Sequence, residues 1–342
     1  MTTLPLGPCA ARVVADRIGR RDFVALAGGL TASWTTLARA QATPVIGYLG
    51  SESPQRYASR LSAFREGLAQ TGYVEGRNVS IEFRWAEGLY GQLPALARDL
   101  AARQVAVMVA PGGAEVALAA KGATTTIPIV FEMGGDPVAL GVVDSLSRPG
   151  GNLTGVSSLS VEVSRKRLEF MREVRPGTKT FAVAINPSSP TSTSQLKNLQ
   201  AAGDSLGLTL VVLKGSSEEE FDGMFAAVRE AGAGGLVFSS DPYFAYRSQL
   251  LAELAVRHRV PAMTQSRDFP MAGGLMSYGG DFHQSHRQTG MYAGRILKGE
   301  KPSDLPVQRV TKVELFLNMK AANALGMSLP TALLGSADRI IE

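Results

Sequence analysis

Short apolar runs alternate with longer segments of helical period from residue 44 to about residue 298. Pro44–Leu49, Val105–Val109 and Ile127–Phe131 are five or six residues long and rich in β-branched side chains, the mark of strands buried on both faces. Val79–Trp85 alternates apolar and polar positions, as a half-buried strand does. Between these runs, Leu61, Phe64 and Leu68 recur at helical spacing, and Leu93–Ala102 reads as a further helix. After Ile127–Phe131, Asp136 and Pro137 stand as N-cap and first helical residue before an expected helix through Val138, Ala139 and Leu140. The glycine-rich turn Arg148–Asn152 and the segment Leu153–Val156 then leave the first lobe.

A second series follows: a helix Glu162–Val174, strand Thr180–Ile185, a helix through Leu206, strand Leu208–Leu213 and helix Glu218–Ala231. Gly235–Phe238, Pro261–Thr264 and Gly274–Gly279 are further strands, and helix Phe282–Lys298 returns to the first lobe. Repeated βα units with right-handed crossovers imply parallel sheets with helices on both faces. The expectation is therefore two Rossmann-like α/β lobes: residues 41–155 with about 280–310, and residues 156–279 with about 311–342.

Five polar loops follow strands: Ser51-Glu52, Gly112-Gly113-Ala114, Gly134-Gly135-Asp136, Asn186 to Ser189, and Asp241-Pro242-Tyr243. Strand exits are where open α/β sheets bind ligands. Free N–H groups at helix starts suit an anion, and Gly112 and Gly113 let it approach without a Cβ in the way. Ser51, Gly113 and Gly134 are expected to donate to an anionic group, and Asp136 and Asp241 to accept from an ammonium or hydroxyl. Asn186, Ser189, Tyr243 and Ser277 would line the second lobe; each Asp-Pro also has a plain reading as a helix cap. Tyr48, Tyr243, Phe244 and Tyr246 are candidates for an aromatic wall, with core packing as the alternative.

The 342-residue chain carries a formal net charge of +5. Residues 1–40 hold Arg12, Arg17, Arg20, Arg21 and Arg39 against Asp16 and Asp22, a net +3, leaving about +2 for the rest. With no basic block interleaved with aromatics, nucleic-acid binding has little support. Arg20-Arg21-Asp22-Phe23, the apolar stretch Val24–Trp34 and Ala38-Arg39-Ala40 read as a twin-arginine export signal cleaved near Ala40. Cleavage would remove Cys9, the only cysteine, and leave a soluble periplasmic monomer without disulfide or thiol nucleophile. Hydrolase-elbow, phosphate-loop and dinucleotide fingerprints are missing, so neither catalytic residues nor a cofactor are expected. His283 and His286 share a helical spacing, but a solvated helix start accounts for them better than a metal, and no metal is expected. His258 sits at a helix end, where a cation suits the dipole.

The chain resembles the ABC-transporter substrate-binding protein family that includes the tryptophan-binding TrpX-like proteins. The resemblance rests on Gly72-Tyr73-Val74-Glu75-Gly76-Arg77-Asn78, Thr126–Phe131, Leu146–Gly155, Ala272–Gly279, Ile296–Pro302 and Asp304–Gln308, together with the leader. It implies a type I periplasmic binding fold: two lobes joined by three crossings, closing on a small solute such as an amino acid or related carboxylate, aromatic ones included. It also implies delivery to a permease and its ATPase at the inner membrane. Two stretches depart from the family's pattern. Ala110-Pro111-Gly112-Gly113 replaces a loop that usually carries threonine or serine, and Phe131–Gly135 lacks the small hydroxyl residue common before the Asp-Pro. The alternatives are a ligand-sensing domain for a membrane receptor and a racemase- or lyase-type enzyme. The enzyme would need acid/base groups paired across the cleft.

Overall fold

The computed structural model describes residues 43–158, 161 and 163–342. The expected leader over residues 1–40, with Cys9, and the expected helix start at Glu162 lie outside the described residues.

Two separate sheets organise residues 44–342. The first contains β1 (Val45–Gly50), β2 (Ser80–Trp85), β3 (Val107–Pro111), β4 (Ile129–Met133), β5 (Leu153–Ser157) and β11 (Gln308–Arg309), in the order β11-β5-β4-β3-β1-β2. Every pairing in it is parallel. β3, β4 and β5 are buried along their whole length, as parallel strands sandwiched by helices must be. The second contains β6 (Thr180–Ile185), β7 (Thr209–Lys214), β8 (Leu236–Phe238), β9 (Ala262–Thr264), β10 (Met276–Gly280), β12 (Val313–Asn318) and β13 (Arg339–Ile341). Its order is β13-β12-β10-β9-β8-β6-β7. The strand order reverses between β1 and β3 in one sheet and between β6 and β8 in the other, the switch points at which such folds leave a crevice.

The structure corrects two expectations. The second sheet is not wholly parallel, because β12 runs antiparallel to β10. β10 leaves this sheet for the first one, and β12 comes back from there, so the two run in opposite directions. The helix expected after Pro137 is only a turn: Asp136 caps Val138 and Ala139 at 2.8 and 3.2 Å, but no helix follows. Gly141, at φ 66°, then turns the chain out of the helical path.

The chain passes between the sheets three times, after β5, after β10 and before β12. These crossings lie side by side. Val310 N–H donates to Ser157 O at 2.9 Å and Asp281 N–H to Lys312 O at 3.3 Å. A Cβ on Gly280 would stand 2.1 Å from Ser158 O.

Helix Phe282–Leu297 carries the chain back to the first sheet and packs against helix Pro54–Gln70. Their backbones touch almost directly, since a Cβ on Gly290 would lie 2.0 Å from Phe64 O, and one on Gly67 1.8 Å from Arg287 O. This close crossing buries Tyr57, Phe64, Leu68 and Tyr292 with Tyr48 and Val109 of the sheet. Gly290→Ala is expected to cost about 1–3 kcal/mol or more through forced backbone movement, lowering the melting temperature by several degrees. Gly223→Ala, at a helical glycine with open space around it, should gain roughly 0.5–1 kcal/mol. Equal melting temperatures for the two variants by circular dichroism would show that the crossing tolerates a methyl group.

Candidate functional site

The exits of both sheets meet around one cavity of about 510 Å³, its mouth included. From the first sheet's side it is lined by Gly112, Gly113, Ala114 and Glu115 after β3, by Glu132, Gly134 and Gly135 at the end of β4, and by Arg60. From the second sheet's side come Ser189 and Thr191, Ser240 and Pro242, Tyr246, and Gln265. Phe282 and His286, in the first turn of the returning helix, complete the wall.

Five residues expected at the site from the sequence line this cavity: Gly112, Gly113, Ala114, Gly134 and Ser189. Five more lie beside it. Ser51 is buried with its hydroxyl 3.4 Å from Tyr57 Oη. Glu52 is buried against Arg247 at 3.0 Å. Asp241 caps the short helix Pro242–Ala245, accepting from Tyr243 N–H at 2.8 Å and from Tyr90 Oη at 3.1 Å. Asn186 Nδ2 reaches the same Asp241 oxygen at 3.5 Å, and Tyr243 and Asn186 border a shallower groove next to Tyr90. Ser277 is buried within β10, paired with Thr264 and Phe316, and does not reach the cavity wall. Asp136 is exposed and acts as a cap, so it stays outside the group. Phe244 and Tyr48 are core residues, whereas Tyr246 does form part of the wall.

Residues that sequence reasoning missed carry most of the charge. Arg60 lies on the apolar stripe of helix Pro54–Gln70, one turn from Tyr57 and Phe64, and a cation on a buried stripe was the available signal. Its guanidinium sits 4.5 Å from the Tyr246 ring centroid and 5.2 Å from that of Phe282, and pairs with Asp268 at 3.1 Å. Glu115 stands one residue beyond the expected glycine loop. His286, expected at a solvated helix start, is instead buried, whereas His283 turns outward to face Glu66 at 4.0 Å. Among the described residues, no group of three or more His, Cys, Asp or Glu side chains is placed to hold a metal ion.

Several contacts join the two sides of the cleft. Besides Glu52–Arg247 and Tyr90–Asp241, Arg56 donates to Tyr246 O at 3.0 Å and pairs with Glu218 at 3.3 Å. The Tyr57 and Tyr246 rings lie 4.8 Å apart and tilted by 30°. These contacts are unequal. Exposed Arg56–Glu218 is worth about 0–1 kcal/mol, whereas removing one partner of a buried pair such as Glu52–Arg247 costs roughly 3–5 kcal/mol.

Burial dominates the protonation chemistry. The Glu52 carboxyl is pushed up from 4.5 to about 7, since loss of hydration outweighs the Arg247 contact. Burial also raises Glu115, Asp241 and Glu132, in the last case against hydrogen bonds from Ser158 and Ser285. His286 is pulled down from 6.5 to about 3 by burial first and by Arg60 second, so it is neutral at ordinary pH.

Comparison with known proteins matches residues 51–341 to the family model described as ABC transporter substrate binding protein. A tyrosine-binding protein of Clostridioides difficile is 26% identical over 271 residues, covering 77% of this chain and 75% of its own. A crystal structure of a conserved domain protein from Vibrio cholerae superposes with a TM-score of 0.80 at 27% identity, covering 87% of this chain and 99% of that one. An ABC domain from Streptococcus, solved in complex with L-Trp, gives 0.77 at 25% identity over 86% and 100% of the two chains.

The raised Glu52 carboxyl sets the sign of a pH effect. Folding favours its protonated form, so its contribution is fully present below pH 4.5 and is lost as pH rises through about 7. His286 has the opposite sign: its contribution is present above 6.5 and is lost on acidification toward 3. A comparison with Glu52→Gln isolates the first effect. The wild type should lose more melting temperature than the variant between about pH 5 and 7.5. Parallel losses would mean that Glu52 is hydrated in solution and that the cleft is not closed over it.

Proposed function

The chain belongs to the ABC transporter substrate-binding protein family, and from that premise we propose that it captures a small amine-bearing solute, an amino acid or a close relative, between its two sheets. The family is one of binding proteins rather than enzymes, so the work is done by conformational change. We place it outside the inner membrane after export and assign it a permease and its ATPase as partners.

The observation that carries this reading is the convergence of both switch points on one cavity, with three adjacent crossings on one side of it. Crossings packed this closely can absorb a change of backbone angle while each sheet moves as a unit. In the closed arrangement, Glu52–Arg247, Tyr90–Asp241 and Arg60 with Tyr246 hold the two sides together. A solute touching both walls adds its own contacts to this set, and closure follows from its greater affinity for the closed form. The tyrosine-binding relative and the L-Trp complex support an amino-acid-like solute with an aromatic part. Tyr246 and Phe282 supply aromatic surface on the wall, although Arg60 already covers part of it.

A thermal-shift screen of the purified protein against amino acids and their amine relatives is the test. A solute at about a thousand times its dissociation constant adds roughly 4 kcal/mol, several degrees of melting temperature at this size. The expected outcome is a discrete set of stabilising solutes recovered chemically unchanged. A solute consumed during incubation would replace binding with catalysis. Absence of both a hit and a small molecule released on denaturation would remove solute capture as the function.

A further inference from the structure

The start of helix Ala114–Ala123 faces the cavity without a side-chain cap, and its N-cap, Gly113, has φ 122°. In an unoccupied helix start of this kind, free N–H groups would draw the carboxylate of an incoming solute. Here the chain supplies its own. The Glu115 side chain folds back over Gly113, so that a Cβ there would lie 2.4 Å from Glu115 Oε1 and 2.9 Å from Oε2. The carboxylate also accepts from its own backbone N–H. Gly113 is thus needed less for a ligand's approach than for the return of Glu115.

The polar atoms left over in the cavity are of one kind. Glu115 is 8% exposed and its Oε1 has no partner. His286 is 1% exposed; its Nδ1 lies 2.8 Å from Phe282 O and must carry the proton to donate there, which leaves Nε2 as an acceptor without a partner. Behind the wall, Asp241 Oδ2 is a third buried acceptor without a partner, and Tyr90 has already given its proton to Oδ1. The cations nearby are engaged, Arg247 by Glu52 and Glu218, and Arg60 by Asp268. Glu115 also borders a wider groove with Tyr90 and Ser188, so it stands where that groove meets the cavity.

We propose that this cleft binds its solute through a cationic group seated on the Glu115 carboxylate with His286 Nε2 as a second acceptor, and that the helix start has no seat for a free carboxylate. The preferred solutes are therefore primary amines or guanidines without an α-carboxylate, in place of the corresponding amino acids. Burial pushes the Glu115 carboxyl toward its protonated form; a cation brought beside it favours the ionised form and charge-assisted hydrogen bonds, whereas a solute carboxylate placed there pushes it further up. This assignment rests on solute capture in the cleft and specifies the class of solute.

Isothermal titration calorimetry with matched pairs tests it: tyramine and tyrosine, tryptamine and tryptophan, agmatine and arginine, cadaverine and lysine. At least one amine should bind ten times or more tighter than its parent amino acid. Glu115→Gln, of nearly unchanged shape, should weaken that amine tenfold or more and narrow the gap to its parent. Tighter binding of the amino acid in every pair that binds overturns the proposal. So does an amine affinity unchanged in a folded Glu115→Gln. The wild-type comparison decides the matter even if the variant does not fold. Failure of all eight probes overturns the solute class alone; mass spectrometry of small molecules released on denaturation tests capture itself, and a released solute lacking an amine would leave capture standing.

Discussion

Carboxyl groups buried at the seam between the two sheets are the constraint on which the arrangement depends. Glu52, Glu115, Glu132 and Asp241 are each 8% exposed or less, and an isolated ionised carboxylate in such surroundings is too costly to persist. Each must find a partner, hold a proton or meet a cation. Glu52 has Arg247, and Glu132 has Ser158 and Ser285. Glu115 and Asp241 keep one oxygen each without a partner. The seam thus contains two solved electrostatic problems and two open ones, and of the open ones Glu115 faces the cavity.

That seam exists only because of how the chain crosses it. Parallel strands deliver their loops to one edge of each sheet, and the three crossings bring those edges face to face. The returning helix then fixes the first turn of residues 282–286 against the cavity. Its glycines matter here because the backbone contact of Gly290 with Phe64 sets how near Phe282 and His286 stand to Arg60. A bulkier crossing would move the wall and loosen the burial that governs its protonation. Packing far from the cavity therefore controls chemistry inside it.

Much of the architecture was legible in the sequence because parallel buried strands leave continuous apolar runs. The runs at residues 45–49, 129–131 and 180–185 each became a strand, and the polar loops after them did fall at strand exits. The antiparallel return of β12 was not legible, since direction within a sheet depends on which crossing precedes it. The site was only half legible. The glycines facing the cavity declare their backbone freedom locally, but Arg60 is covered by Tyr246 and Asp268, and His286 by Tyr57, each more than a hundred positions away in the chain. Asp136 shows the converse. Its Asp-Pro signal is local, and local capping is all that it does.

The loop after β3 runs Gly112-Gly113-Ala114-Glu115 and carries no hydroxyl. A hydroxyl at a helix start can donate or accept and leaves the N–H groups of the first turn available. A glutamate folded back over Gly113 accepts from its own backbone N–H and presents its carboxyl at that point of the wall. That puts a titratable group at one point of the wall without altering the fold that displays it. Since a charge-assisted hydrogen bond outweighs a neutral one about twofold, the proposed seat for a cation at this carboxyl would decide which end of a zwitterion the cleft accepts. The fold can thus be shared with the structure solved in complex with L-Trp while the proposed chemistry of capture differs.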